Sequence, residues 1–398
     1  MVSPFMPDDE KIVAIRNLLP ATSAGIYLNV ARAGPLPSET QRAMDEIAEH
    51  ELTLGRASRD IDAETEQRMA EARAGVAAVI AADVDSVALT HSTAEGLAFA
   101  LATIEWRSGD RIVTTSEEDP DWVRVVRATA DRFDLAIDVV DLGDREPEPI
   151  VAAFEGVVDE RTRAVVLSHV TAATGALLPI RRVIDRAHED DAVAIVDGSQ
   201  AAGAIPVDVE ATGADFYAVP AHKWLLGPEG MAAMGLGQRP QGTFAPAGGA
   251  RQAPLEMTGV HGPSVVGFAR SCGWLSMYVG LPWAHERTAA LTARASERLL
   301  ATPGVNVLTP PGTVATILTF RIHGWRAADA VDELGRRVFA IVEEVPALDA
   351  IRASIGFWNT DDELDTFLAG VELLAAHTPE TLPQRQRLTV LAADSPLR

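Results

Sequence analysis

The sequence is poor in sulfur nucleophiles and in lysine. Its 398 residues include one cysteine, Cys272, and two lysines, Lys11 and Lys223; the other 32 basic residues are arginines. A lone thiol excludes an internal disulfide and a cysteine-built metal site, and it suits a reducing compartment. No apolar run is long enough to cross a bilayer. The opening MVSPFMPDDEKIVAIRNLL lacks the basic segment, apolar run and cleavage site of a secretory leader, so a cytoplasmic protein is expected. Positive charge is also scarce, with 34 Lys and Arg against 57 Asp and Glu and a net charge of −23. So acidic a surface repels phosphate backbones and anionic lipid, which argues against nucleic-acid and membrane partners. With so few lysines, one kept in mid-chain invites a chemical explanation.

What is present is a large α/β pattern. Apolar residues make up 47% of the chain, enough for a sizeable core, and the length points to two domains. Helical spacing covers 36–53 and 62–82. From residue 87 short apolar strands (87–90, 111–115, 135–142, 164–170, 192–197) alternate with helices (121–132, 148–157, 180–189). That alternation predicts a mostly parallel sheet covered on both faces. Residues 216–219 and 230–236 read as a later strand pair, and the Gly/Pro-rich 240–263 as a loop. Helix 283–301 leads to a second, smaller domain, with strands at VNVLT and 315–322 and helices at 326–336 and 361–376. The expected division is an N-terminal segment 1–25, a large domain 26–282, a small domain 283–380 and a tail 381–398.

Three motifs carry chemistry. In IVDGSQ a buried strand ends on Asp197, where open α/β sheets place ligands. An aspartate there either holds a ring N–H by a charge-assisted hydrogen bond or caps a loop. In AVPAHKWLLGPEG, Lys223 follows a strand and precedes a Gly-Pro turn. Such a lysine is either a surface cation or an amine that loses its proton between low-dielectric walls and attacks a carbonyl. In HSTAEG, Ser92 and Thr93 stand where a strand passes into a helix, and they either bind a phosphate at the helix N-terminus or cap it. No GxGxxG or GxxxxGK[ST] follows a strand, so a plain nucleotide-binding protein lacks support.

The order YLNVARAGPLP, HSTAEG, SHVTAATG, VDGSQ, AHKWLLGPEG and RASIGFWNTDDELD resembles the class V aminotransferase group of fold-type I pyridoxal-phosphate (PLP) enzymes. That group includes cysteine desulfurases, kynureninase, isopenicillin-N epimerase-like proteins and related C–S lyases. The resemblance spans roughly residues 25–375 and is nearest to the epimerase-like branch. It implies a seven-stranded type of sheet in a large domain and a small α+β C-terminal domain. It also implies pyridoxal 5′-phosphate held by Lys223 as a Schiff base, with Asp197 on the ring nitrogen and Gln200 near the phenolic oxygen. Ser92, Thr93 and His222 would bind the phosphate, and Thr258 would reach the phosphate of a partner subunit in a homodimer. Arg352 would clamp the carboxylate of an amino-acid substrate, with Asn29 beside it. His222 could equally be a packed histidine, and Arg352 a surface ion-pair partner.

The departures from the family pattern are as informative. The place of a ring-stacking histidine falls near Asp119, and an aspartate cannot stack; Trp122 is the aromatic side chain at hand. Thr171 stands at the start of a run, Thr171–Ala172–Ala173, where relatives carry a cofactor-side asparagine. Pro220 replaces a frequent phosphate-binding serine. Desulfurases need a mobile cysteine shortly before the carboxylate-binding arginine, and FAIVEEVPALDAIRAS has none. Cys272 lies far upstream and reads as a small buried residue. The leading expectation is thus β-elimination on a cysteine S-conjugate in secondary metabolism. The alternatives are oxidative (decarboxylating) deamination, transamination, epimerisation and an inactive PLP-fold binding protein. No metal site is expected.

Overall fold

The computed structural model describes residues 7–384 apart from Ser58, Asp144 and 239–255. Most of the expected 240–263 loop, the first six residues and the end of the tail lie outside the described residues. The chain opens with helix α1 (Asp8–Asn17), strand β1 (Ile26–Tyr27) and the long helices α2 (Ser38–Leu54) and α3 (Arg59–Ile80). Alternation follows: β2 (Val87–Thr90), α4 (Thr93–Ala102), β3 (Arg111–Thr115), α5 (Pro120–Phe133), β4 (Ala136–Val140) and α6 (Pro147–Val157). It continues through β5 (Thr162–Ser168), α7 (Ile180–Glu189), β6 (Val193–Asp197), the single turn α8 (Val209–Thr212), β7 (Phe216–Pro220) and β8 (Ala232–Leu236). Helices α9 (Gly262–Gly273) and α10 (Leu281–Ala301) are joined by a π-helical turn, Trp274–Val279. Last come β9 (Val305–Val307), β10 (Ile317–Ile322), α11 (Ala327–Val338), β11 (Ala340–Ile341), β12 (Glu343–Val345), β13 (Ala350–Ser354) and α12 (Asp361–Ala375).

Seven strands form one sheet in the order β2-β8-β7-β6-β5-β3-β4. Neighbours are parallel except at β8, which runs against both β2 and β7. Alternate side chains explain why these strands read as unbroken apolar runs. On β5, Val165 and Leu167 enter the cluster shared with α3, α6 and α7, while Ala164 and Val166 enter the one shared with α4 and α5. On β6, Ala194 and Val196 take the first side and Ile195 the second. Burying each Val, Ile or Leu contributes about 1.5–3 kcal/mol, so both faces must be covered. The sheet order reverses at β3, which has β4 on one side and β5 on the other. The carboxyl ends of β5, β6 and β7 lie level, with Ser168 opposite Asp197 and Asp197 opposite Ala218.

A second, antiparallel sheet, β12-β13-β10-β9, packs its apolar face on α10, α11 and α12 through Leu299, Leu334, Phe320 and Phe367. This is the smaller α+β unit. It receives β1, which pairs with β11, so the chain's early residues stitch the two units together. Helix α9 had no counterpart in the sequence pattern. It packs against both α2 and α3, which buries Val265, Phe268, Ser271 and Cys272, and Arg270 is its one exposed residue, too little of a polar face to give it a helical period.

Candidate active site

Beyond Pro220 the chain turns sharply through Ala221, His222 and Lys223. Hydrogen bonds from Leu226 N to Lys223 O (3.0 Å) and from Gly227 N to Ala221 O (2.7 Å) close the turn. Gly34 N donates to His222 O at 2.7 Å, pinning it from the other side. A Cβ at position 34 would stand 2.4 Å from the Lys223 carbonyl oxygen, so this approach needs glycine.

Lys223 lines a cavity of about 460 Å³ together with Ser92, Thr93, Asp119, Ser199, Pro220 and His222. Ser92 is the N-cap of α4, its Oγ accepting from Glu95 N at 3.1 Å. Capping uses one lone pair. Ser92, Thr93 and Ala94 all line the cavity, so α4 also presents its positive end there. Asp197, only 5% exposed, ends β6 and accepts from Ser199 N at 2.8 Å. Burial raises its pKa; the charge of Lys223 and the Ser199 hydrogen bonds oppose that rise, and Asp119 adds to it. A carboxylate this buried needs a cationic partner. The amine and the helix N-terminus line the cavity, and the buried carboxylate, itself off the wall, is tied to it through Ser199 and the charge of Lys223; the three match the aldehyde, phosphate and pyridinium N–H of PLP.

The remaining candidates are placed as follows. Gln200 Nε2 donates to Ala31 O (2.9 Å) and its Oε1 accepts from Trp224 Nε1 (2.9 Å), which fixes the amide's orientation. Burial and the charge of Lys223 lower the His222 pKa, against a pull from Glu229, which favours the neutral imidazole. Asp119 does line the cavity, and its Oδ1 caps α5 by accepting from Asp121 N at 2.8 Å. Trp122 does not line it. The indole sits in the apolar cluster with Leu97 and Val126 and donates to Thr93 Oγ1 at 3.2 Å, so it buttresses Thr93 instead of facing the cavity. Thr171 is fully buried in a turn, bonded to Thr174 Oγ1 (2.7 Å) and Ala176 N (3.1 Å), and it too is absent from the cavity wall.

Asn29 and Arg352 form a separate group, and neither is on that cavity's wall. Asn29 bridges to Ser354, two residues along β13 from Arg352, and its Oδ1 is buried without a partner. Ser354 Oγ accepts from Ala31 N at 3.0 Å, and Ala31 O holds Gln200, so one loop ties β13 to Gln200. Arg352 Nη1 donates to Ala172 O at 2.6 Å, and Nη2 pairs with Glu343. Thr258 is exposed just past Met257, whose N bonds Leu89 O at 2.8 Å. Lys11, the other lysine, is buried with its Nζ 3.9 Å from the Trp283 ring centroid, far from this chemistry in role. Cys272 is fully buried, and burial pushes its thiol well above the ordinary pKa.

Sequence reasoning missed Glu118, Glu343 and Trp224. Glu118 is buried beneath Ser168 and within electrostatic reach of Asp197. Its only signal was an acidic residue three positions past a strand end. Glu343 is directly opposite Arg352 across an antiparallel pair, a register that spacing does not reveal. Among the described residues no cluster of His, Cys, Asp or Glu could hold a metal ion, and no helix is long and apolar enough to cross a membrane.

Comparison with known proteins agrees with this geometry. The family model described as "Aminotransferase class-V" matches residues 26–367. A probable cysteine desulfurase of Methanothermobacter thermautotrophicus is 26% identical over 91% of this chain and 97% of its own. The isopenicillin N epimerase of Streptomyces clavuligerus is 26% identical over 88% and 94%. Among solved structures, the cystine C-S lyase C-DES in complex with cysteine persulfide superposes with a TM-score of 0.81 at 20% identity, covering 89% of this chain and 99% of that one. The cysteine desulfurase of Thermococcus onnurineus NA1 does so with a TM-score of 0.79 at 23%, covering 94% and 100%. The family match over most of the length, joined to the lysine, the buried aspartate and the helix N-terminus, makes this chain a member of the class V aminotransferase family and a PLP-dependent enzyme.

Proposed function

We propose that this enzyme cleaves the C–S bond of a cysteine S-conjugate by β-elimination, as a tailoring step in secondary metabolism. The observation that carries the reading is the state of the one thiol. Cys272 is locked in α9, and no cysteine precedes Arg352 in FAIVEEVPALDAI. Sulfur then leaves on the substrate's own fragment instead of passing to a protein thiol. Relatives named as a cystine C–S lyase and as cysteine desulfurases support chemistry at a C–S bond.

When bound, PLP supplies an electron sink at the substrate α-carbon. Asp197 would keep the ring nitrogen protonated, and Gln200 would donate to the phenolic oxygen. Ser92, Thr93 and neutral His222 would hold the phosphate. Lys223, which lines the same cavity, moves the proton at Cα. Arg352 orients the substrate carboxylate, with Asn29 beside it. Asp119 favours one second reading. A carboxylate on the cavity wall gives a second proton carrier besides Lys223, as reversal of configuration at Cα requires, and an epimerase is among the relatives.

A homodimer belongs to the same proposal. Thr258 is exposed, and a groove of about 860 Å³ between α2, α3 and α9 is lined mainly by apolar side chains and bordered by Met277, which is 85% exposed. A cytoplasmic site of action belongs with it, on the strength of the single buried thiol.

The test is incubation with S-substituted cysteines. Thiol, pyruvate and ammonium should form in equal amounts, and all three should vanish in Lys223→Ala. Aldehyde and peroxide would replace elimination by oxidative deamination. Racemised substrate carrying solvent deuterium at Cα would favour the second reading, and no product of any kind would refute both.

A further inference from the structure

The arginine expected to grip the substrate carboxylate already holds one of the chain's own carboxylates. Glu343 on β12 lies directly opposite Arg352 on β13. Its Oε2 pairs with Arg352 Nη2, and the two side chains are 22% and 12% exposed. Arg352 Nη1 is taken by Ala172 O, while Nε is buried with no partner. A carboxylate binds a guanidinium best on two neighbouring N–H groups. On Arg352 the Nε and Nη2 edge is that fork, and Glu343 fills half of it.

Glu343 also has a second place to go. Its Oε1 is 3.3 Å from Nη1 of Arg32, whose side chain is 72% exposed. Arg32 follows Asn29 in a tight turn, its N donating to Asn29 O at 3.2 Å. One carboxylate therefore spans an inner and an outer arginine, on the loop that carries a candidate substrate-side residue. Exchanging Glu343 for a substrate carboxylate leaves neither arginine unpaired, which avoids the penalty of a buried lone charge.

We propose that Glu343 is a specificity-determining gate at the carboxylate subsite. It rests on Arg352 Nη2 in the free enzyme, and an incoming α-carboxylate takes the Nε and Nη2 edge as Glu343 moves onto Arg32. The inference deepens the proposed function, because it rests on Arg352 as the carboxylate site. Ligands with a carboxylate displace the gate, and amines without one do not. Glu343 acts through Arg352 and is a positioning residue, so its test must separate charge competition from simple support.

The experiment titrates the holoenzyme calorimetrically with glycine and with glycinamide, which lacks the carboxylate. Glu343→Gln should bind glycine about tenfold more tightly than wild type, because a competing charge is gone. Glycinamide binding should not change, and Glu343→Asp should behave as wild type. Arg32→Ala should weaken glycine binding, and that loss should disappear in the Arg32→Ala, Glu343→Gln double variant. Equal or weaker glycine binding by Glu343→Gln, with Arg352→Ala still losing glycine, overturns the gate and leaves the clamp standing. Arg352→Ala binding glycine like wild type overturns both.

Discussion

A carboxyl buried just past the end of β3 couples stability to pH. Glu118 accepts from Thr115 Oγ1 (2.5 Å), Ser168 N (3.1 Å) and Ser168 Oγ (2.6 Å). Burial still lifts its pKa from 4.5 to about 7, with a smaller push from the charge of Asp197. Asp197 is the least of the causes, so a cation beside Asp197 leaves the direction intact. A raised folded pKa means that the folded state holds the proton more tightly than the unfolded chain does. The resulting stability is fully present below the unfolded value of 4.5 and is lost as pH rises through about 7. At about 1.4 kcal/mol per unit, the loss is roughly 3 kcal/mol. Glu118→Gln cannot ionise and should flatten this part of the profile. Denaturant midpoints taken between about pH 5 and 8 should converge toward acid and separate toward base, with the variant the more stable at high pH. Parallel curves would show that the buried carboxyl ionises like an exposed one.

At the scale of elements, the contact between β6 and β7 is what aims Asp197. A Cβ on Gly198 would lie 2.1 Å from Tyr217 Cε1 and 2.9 Å from Ala218 O, and Gly198 N donates to that same oxygen at 2.8 Å. Gly198→Ala should therefore push the two strand ends apart. Overpacking of this kind costs about 1–3 kcal/mol. It should also displace Asp197 and Ser199, so that the yellow chromophore washes out on dialysis faster than in wild type. Full retention would mean that the strand end yields without moving Asp197. Strand β6 was legible in the sequence because two-sided burial leaves a continuous apolar run ending on a lone acid. Lys223 was legible for a different reason, since lysine is nearly absent elsewhere. What escaped had no local signature. Helix α9 shows little polar face because α2 and α3 bury most of it and the rest, Arg270 apart, is apolar or small. Trp122 was the aromatic at hand and no more, because spacing cannot tell the two sides of a helix start apart; it packs with Leu97 and Val126. Glu343 is nine residues from Arg352 in sequence, and only the register of a short antiparallel pair brings them together.

At the scale of the whole molecule, the chain carries −23, so two copies repel at long range and any pairing must rest on short-range apolar contact. The groove between α2, α3 and α9 supplies such a surface. Thr258 is held nearby: Met257 N bonds Leu89 O, and Glu256 pairs with Arg73 at 2.8 Å. If Thr258 serves the partner's phosphate site while Lys223 serves its own, two different defects can complement each other. Lys223→Ala removes the reacting amine, and Thr258→Asp sets a negative charge against the phosphate. Each alone should be impaired. After mixing and re-equilibration, about half of the dimers are mixed and each rebuilds one intact site of two, so activity should return to roughly a quarter of wild type. Sedimentation under the same conditions must show the dimer. Dimers without recovered activity would place Thr258 outside the partner's site, and a monomer at working concentration would remove the shared site altogether.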